Sequence, residues 1–262
     1  MRYTDAPARR DELLRRLQND GYLSIAEVAD ELGVSEMTLR RDLRQLEADG
    51  LARRVPGGAA APAGRVLPFA ERDRRGGAVK GRLAAAVLAY VEASSTVALD
   101  AGTTIAPLAR MLPAGTTIVS HSEPVVAATA ARDDVDLVAI GGDYDRGTRS
   151  FTGPLAVAAL ERLSVDVAVL SAVAIDRDGL LCATSRDAEL KPVLARIAHR
   201  RVLVAESSKL RARAHLRFAR LDLLDQFVTD DDATEAELAP LRDAGVDVVV
   251  VARDAATASA PG

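Results

Sequence analysis

Between residues 24 and 58 the apolar positions keep a helical spacing twice, with a tight break between. Ile25, Val28, Ala29 and Leu32 fall at i, i+3, i+4 and i+7, one stripe of a helix whose other face carries Glu27, Asp30 and Glu31. Ser24 and Glu27 have the spacing of a capping box, Gly33 suits the left-handed stop of a helix, and Ser35 is placed to cap a second one. Leu39, Leu43 and Leu46 then mark a buried side, which leaves Met37, Thr38, Arg41, Arg44 and Gln45 pointing outward or sideways. Gly50, Leu51, Arg53, Arg54, Val55 and the pair Gly57 and Gly58 predict a short β-hairpin.

Past residue 95 the pattern changes. Short runs rich in Val, Ile and Leu at 96–99, 116–119, 136–140, 165–170, 201–205, 226–229 and 246–251 alternate with helical runs. Strands that are almost continuously apolar and separated by helices predict a mostly parallel sheet covered on both faces, an α/β architecture. The segment 59–68, AAAPAGRVLP, packs poorly as helix or sheet and reads as a linker. The expected organisation is therefore a helix-turn-helix module with a wing over 1–58, a linker over 59–68, a larger α/β domain over 69–254, to which the resemblance given below adds effector sensing and oligomerisation, and a fraying tail over 255–262.

A second helix presented this way enters the major groove with its N-terminal half. Met37, Thr38, Arg40 and Arg41 are placed for base readout, arginine being suited to guanine O6 and N7. Ser35, Arg44 and Gln45 flank that edge, and Arg53 and Arg54 of the hairpin are placed for phosphates. Charge alone does not announce nucleic acid: residues 1–58 carry ten arginines against eleven acids, and the whole chain is −4. The local balance differs, with five arginines against three acids over 40–54 and six bases against two acids over 65–82. An ordinary amphipathic helix pair with a solvated face is the competing reading of any one charge run.

These residues closely resemble the N-terminal domain of the DeoR family of bacterial transcription regulators. The match runs through Leu13, Leu14 and Leu17, Val34-Ser35, Thr38, Arg40-Arg41-Asp42-Leu43, Glu47, Gly50, Arg54 and Gly57-Gly58, with Leu39 where the family usually has isoleucine.

In a parallel sheet the ligand-binding loops leave the carboxyl ends of the strands. After the first run come Asp100, Ala101, Gly102, Thr103 and Thr104 and a helix from about Ile105, in outline an anion site. Ser120, His121, Ser122 and Glu123 follow the second run, and Gly141 and Gly142 the third, with Arg149 to Gly153 beyond. Each loop alone also reads as a capped helix start. Together, hydroxyls, glycines and a base at one sheet edge suit a phosphorylated polyol.

The same region resembles the DeoR-family C-terminal sensor domain, which is similar in fold to sugar-phosphate isomerases such as ribose 5-phosphate isomerase. Its landmarks are Leu99 to Thr104, Gly141-Gly142, Ser150 to Gly153, Asp176 with Gly179, Ala188-Glu189 with Lys191, Ser207-Ser208-Lys209 and Thr229-Asp230. The resemblance implies that the 100–104 loop and Lys191 surround a sugar phosphate that modulates binding to a double-stranded DNA operator, with a dimer or tetramer as the working form. The chain departs from the pattern at Ser171 and Ala174, usually glycines, at His121 and Thr184, usually asparagines, and at Leu210 and Arg211, usually Phe and Gly.

Other readings stand beside this one. Lys191 equally suits a solvated helix start and Lys209 a surface loop. Asp100 and Asp176 suit either sugar hydroxyls or the general base and acid of an isomerase. His121, His199 and His215 form no metal constellation, and Cys182 is the sole cysteine, so neither a metal nor a cofactor is expected. With no run of ~18 apolar residues and no leader pattern, the expected location is the cytoplasm rather than a membrane. The sequence reading is thus a carbohydrate-responsive repressor, with an isomerase-like enzyme or an effector-independent DNA-binding oligomer as alternatives.

Overall fold

A computed structural model of the chain describes residues 6–20, 22–49, 51–55, 57–60, 69–73, 77–91 and 96–252. The first module comprises α1 (Ala6–Asp20), β1 (Tyr22–Ser24), α2 (Ile25–Leu32), α3 (Glu36–Ala48), β2 (Arg53–Val55) and β3 (Gly58–Ala60). Leu13 and Leu17 of α1, Ile25, Val28 and Ala29 of α2, and Leu39, Leu43 and Leu46 of α3 close into one apolar core.

The turn between α2 and α3 forms as its residues dictate: Gly33 adopts φ 64°, and the Ser35 side chain accepts from the Thr38 N–H at 3.2 Å. Only half of the expected capping box exists. Ser24 accepts from the Glu27 N–H at 3.4 Å without a return bond, because Ser24 is itself the end of β1, in register with Gly58. β3 lies between β1 and β2, antiparallel to both. The wing therefore takes up Ala59 and Ala60, which the sequence assigned to the linker. Gly50, residues 61–68 of the linker and the tail over 255–262 lie outside the described residues.

The second part begins with α4 (Phe69–Asp73) and α5 (Gly77–Leu88) and continues through β4 (Thr96–Leu99), β5 (Thr117–Ser120), α6 (Glu123–Ala130) and β6 (Asp136–Ala139). A hairpin of β7 (Asp143–Asp145) and β8 (Ser150–Thr152) leads to α7 (Pro154–Leu160), β9 (Val165–Leu170), β10 (Ala174–Asp176) and β11 (Gly179–Cys182). Then come α8 (Ser185–Arg196), β12 (Ala198–Val204), α9 (Ser208–Arg211), β13 (Leu216–Ala219), β14 (Gln226–Asp230), α10 (Glu235–Asp243) and β15 (Asp247–Val251). Seven strands form one all-parallel sheet in the order β15-β14-β12-β9-β4-β5-β6, and β10-β11-β13 make a small antiparallel sheet.

All seven expected strands are present, those at 96–99 and 165–170 with the expected bounds and the other five with bounds shifted by one to three residues. Alternate side chains of each central strand feed opposite cores. Val97 and Leu99, Val167 and Val169, and Val202 and Val204 pack beneath α5 and α6, whereas Ala98, Ala168, Leu170 and Leu203 pack beneath α7, α8 and α10. With only 3% aromatic residues, these layers are filled by Val, Leu and Ala.

The strand order locates the site. Chain order runs outward from β4 through β5 to β6 on one side and from β9 through β12 and β14 to β15 on the other, so the direction of winding reverses between β4 and β9. Their neighbouring carboxyl ends are Leu99 and Leu170, followed by Asp100 and Ser171. A crevice at that reversal is where open α/β sheets bind ligands.

Candidate functional sites

On α3 the face opposite Leu39, Leu43 and Leu46 is a ridge of Met37, Arg41 and Arg44 at i, i+4 and i+7. Met37 is 71% exposed, and both arginines are exposed without a salt bridge among the described residues. The flanking groups are tied back: Arg40 to Glu36 at 3.0 Å, Gln45 to Asp49 at 3.0 Å, and Thr38 to the Ser35 hydroxyl at 2.9 Å. Arg53 is exposed, while Arg54 donates its backbone N–H and its Nε to the two oxygens of Glu47, at 3.0 and 2.7 Å. Those bonds hold Glu47 below the usual carboxylate range.

Sequence reasoning missed Asp42. It lies on the inner side of α3 and accepts from Arg9 Nε at 2.5 Å, with both side chains almost wholly buried. An acid six residues past the first residue of an arginine-rich helix reads as solvated, and only the place of Arg9 four residues before Leu13 on the α1 stripe hints otherwise.

At the sheet reversal Asp100 is fully buried. Its Oδ1 accepts from the Ala101 N–H at 2.8 Å and faces His121 Nε2 at 3.0 Å. Its Oδ2 accepts from the Ser171 N–H at 2.8 Å, from the Ser171 hydroxyl at 3.0 Å and from Lys191 Nζ. Burial pushes the Asp100 carboxyl upward, but the Lys191 charge and the His121 contact outweigh it and hold the group well below the usual carboxylate range. Lys191 also donates to the Ser171 carbonyl and hydroxyl, each at 3.1 Å.

In front of this cluster opens a cavity of about 100 Å³, lined by Gly102, Thr103, Thr104, Ser171, Lys191 and Lys209, together with Arg72, Lys80, Asp187 and Glu206. Lys191 sits in the middle of α8 and is buried, so it is not a solvated helix start. Lys209 lies in the four-residue α9, at the pocket wall rather than in a surface loop. Gly102 packs against Ser171, whose Cβ would lie 3.0 Å from a Cβ at that position.

The helix expected from Ile105 is instead a five-residue 3-10 helix, Ala106–Arg110, with Pro107 near its start. The 100–104 loop therefore brings no α-helical N-terminus of its own to the pocket. Arg72 and Lys80, on α4 and α5, were not anticipated, since both precede the first strand of the sheet. A lone lysine in the otherwise apolar start of α5 was the available signal. Burial lowers the Arg72 pKa, while Asp187 and Asp73 support its charge.

Other expected effector residues are structural neighbours rather than lining groups. Ser120 is buried, donates to the Leu99 carbonyl at 2.7 Å and accepts from the Ser122 N–H at 3.1 Å. Ser122 is buried at the start of α6, and His121 stands behind Asp100. Gly142 packs against β8 and α7, where a Cβ would meet the Thr152 carbonyl at 2.5 Å; Gly141 adjoins it outside the pocket. Arg149 chelates Glu123 at 2.5 and 2.6 Å and lies 5.4 Å from the Phe69 ring centre. Asp176 closes the β10–β11 turn by accepting from the Asp178 and Gly179 N–H groups, both at 2.9 Å. The strand order explains this: the loops after β4, β9 and β12 meet in the crevice, and those after β5 and β6 stand to its side.

Residues 9–64 match the DeoR-like helix-turn-helix domain and residues 77–231 the DeoR C-terminal sensor domain. The HTH-type transcriptional regulator GlpR of Haloferax volcanii is 32% identical over 93% of this chain and 97% of its own. A putative aga operon transcriptional repressor of Escherichia coli O157:H7 is 29% identical, over 95% and 96% of the two chains. The likeness to the solved ribose 5-phosphate isomerase A from Neisseria gonorrhoeae stops at TM-score 0.37 and 16% identity, over 53% and 54% of the chains. Among the described residues no helix is long and apolar enough to cross a membrane. The exposed arginine ridge, the wing and the pocketed parallel sheet thus occur together in a chain that belongs to the DeoR family of DNA-binding transcriptional regulators.

Proposed function

We propose that the chain is a repressor of carbohydrate-metabolism genes whose sensor domain binds a small phosphorylated sugar, and that it acts on its operator as a dimer or tetramer. The observation that carries this reading is the pocket at the β4–β9 reversal. It joins hydroxyls from Thr103 and Thr104 to the side chains of Lys191 and Lys209, a donor set suited to phosphate and polyol oxygens. Ser35, Met37, Thr38, Arg40, Arg41, Arg44 and Gln45 would meet the operator on α3, with Arg53 and Arg54 of the wing on its phosphates. Relatives are named both repressors and, in one case, an L-fucose operon activator, so the sign of regulation is part of the test.

The enzyme reading is disfavoured by geometry. Asp100 is enclosed by its own donors and Asp176 closes a distant hairpin, so the two carboxylates do not share a pocket as acid and base. The test is fluorescence anisotropy on promoter DNA at fixed salt, with and without a panel of sugar phosphates and their unphosphorylated parents, alongside light scattering for mass. Release of DNA by one phosphorylated compound supports the proposal. Tightened binding makes the protein an activator or co-repressed regulator, an inert panel removes the sugar-phosphate reading, and a monomeric mass removes the oligomer.

A further inference from the structure

One buried imidazole joins the Asp100 cluster to β8, alongside the Ser122–Ser150 bridge and alongside Arg72, through which α4 itself reaches the pocket. His121 is fully buried; its Nε2 lies 3.0 Å from Asp100 Oδ1, and its Nδ1 lies 3.0 Å from the Phe151 carbonyl oxygen. The carbonyl and the Asp100 carboxylate both only accept, so the bridge takes a hydrogen on each ring nitrogen, and the Ala101 N–H, 3.2 Å from Nε2, bonds instead to Asp100 Oδ1 at 2.8 Å. The Phe151 N–H returns a bond to the His121 carbonyl at 2.8 Å, which fixes the residue to β8 by backbone and side chain together.

The hairpin that β8 belongs to is in turn the seat of α4. The Phe69 N–H donates to the Gly147 carbonyl at 3.0 Å, and the Phe69 ring, 2% exposed, lies beneath the Arg149 guanidinium. α4 is the first described element after the wing. A continuous set of contacts therefore runs from Lys191 and Ser171 in the pocket wall through Asp100 and His121 to β8, Arg149 and α4.

We propose that His121 is the positioning residue that couples the pocket to α4; the regulatory use of this coupling rests on the pocket being the effector site. An anion beside Lys191 competes with Asp100 for the ammonium group. The carboxylate then leans on its remaining donors, and the imidazole follows it only by drawing on the Phe151 carbonyl. Neither shorter nor longer amides reproduce the bridge: asparagine, the usual family residue here, places its amide near the Nδ1 position, and glutamine near Nε2. Each variant keeps one half of the connection.

The test uses the full chain and needs no ligand. Amide hydrogen exchange at Phe69 and Phe151 is compared between the wild type and Lys191→Met, then again in His121→Asn and His121→Gln backgrounds, with Tm recorded for each. Coupling predicts that Lys191→Met changes those exchange rates about fivefold or more in the wild-type background and leaves them nearly unmoved in both His121 backgrounds. A merely structural histidine would lower Tm while leaving the response to Lys191→Met intact, and that result overturns the proposal. So does a wild-type background that shows no response. If Lys191→Met does not fold, Ser171→Ala removes a hydroxyl whose one hydrogen is shared between Asp100 Oδ2 at 3.0 Å and the Ala101 carbonyl at 2.8 Å, without unpairing a charge, and is read identically. Titration of the wild type with the sugar-phosphate panel tests the effector reading separately, so loss of that reading leaves the exchange result standing and the reverse also holds.

Discussion

Arg9 on α1 holds the carboxylate of Asp42 on α3 at 2.5 Å inside the DNA-reading module, with both side chains almost wholly out of water. The pair fixes α3 from behind, on the side away from its arginine ridge. Removing one partner leaves the other as an uncompensated buried charge, which costs about 3–5 kcal/mol. Arg9→Ala is therefore expected to unfold the first module at lower denaturant and to weaken DNA binding without touching DNA. Urea melts of the variant check this; an unchanged midpoint contradicts it.

On the proposed reading, Arg41 and Arg54 would make two different modes of DNA contact. Arg41→Ala is expected to lose about 1–3 kcal/mol on the operator and to relax specificity, because its side chain is unengaged and stands on the outer ridge. Arg54→Ala is expected to weaken operator and random DNA alike and to flatten the salt dependence. Parallel titrations on both DNAs distinguish them, and an equal loss on every sequence for Arg41→Ala reassigns that residue to phosphate.

The depressed Asp100 pKa has a definite sign in stability. A carboxyl whose folded pKa lies below its unfolded value of about 3.9 contributes stability that is fully present above that pH and is lost as pH falls through the folded value. The stability gap between the wild type and Asp100→Asn is expected to stay constant from neutral pH to about pH 4 and to shrink only in stronger acid. Unfolding free energies measured across that range check it, and a gap that closes between pH 7 and 5 contradicts it.

Cys182 is fully buried and lies within 3.5 Å of the Thr184 and Leu216 carbonyls. Burial pushes its thiol up to about 11, so the thiolate is scarce at neutral pH. Native protein at pH 8 is expected to react with a thiol reagent only on the timescale of unfolding, and rapid native labelling contradicts this.

Much of this molecule was legible from spacing alone. Caps and stripes at Ser24, Gly33, Ser35 and Leu39 are local features, and the seven strands announce themselves as apolar runs because both faces are buried. Strand order is not local, and it decides which loops meet. The turns after β5 and β6 carry the same small polar residues as the one after β4, yet the reversal beside β9 brings only the 100–104 loop to Ser171 and Lys191. Asp42 and Asp100 were hard to place for a related reason: a carboxylate enters a core only with its counter-charge, and Arg9 and Lys191 lie 33 and 91 residues away.

The two bonds from Arg54 to Glu47 make the wing and the reading helix a single tool with a set gap between its prongs. Such a tool has no adjustable jaw. On the proposed reading of an effector-bound oligomer, a metabolite would alter the distance and angle at which whole tools are offered to successive turns of the duplex rather than the surface that reads.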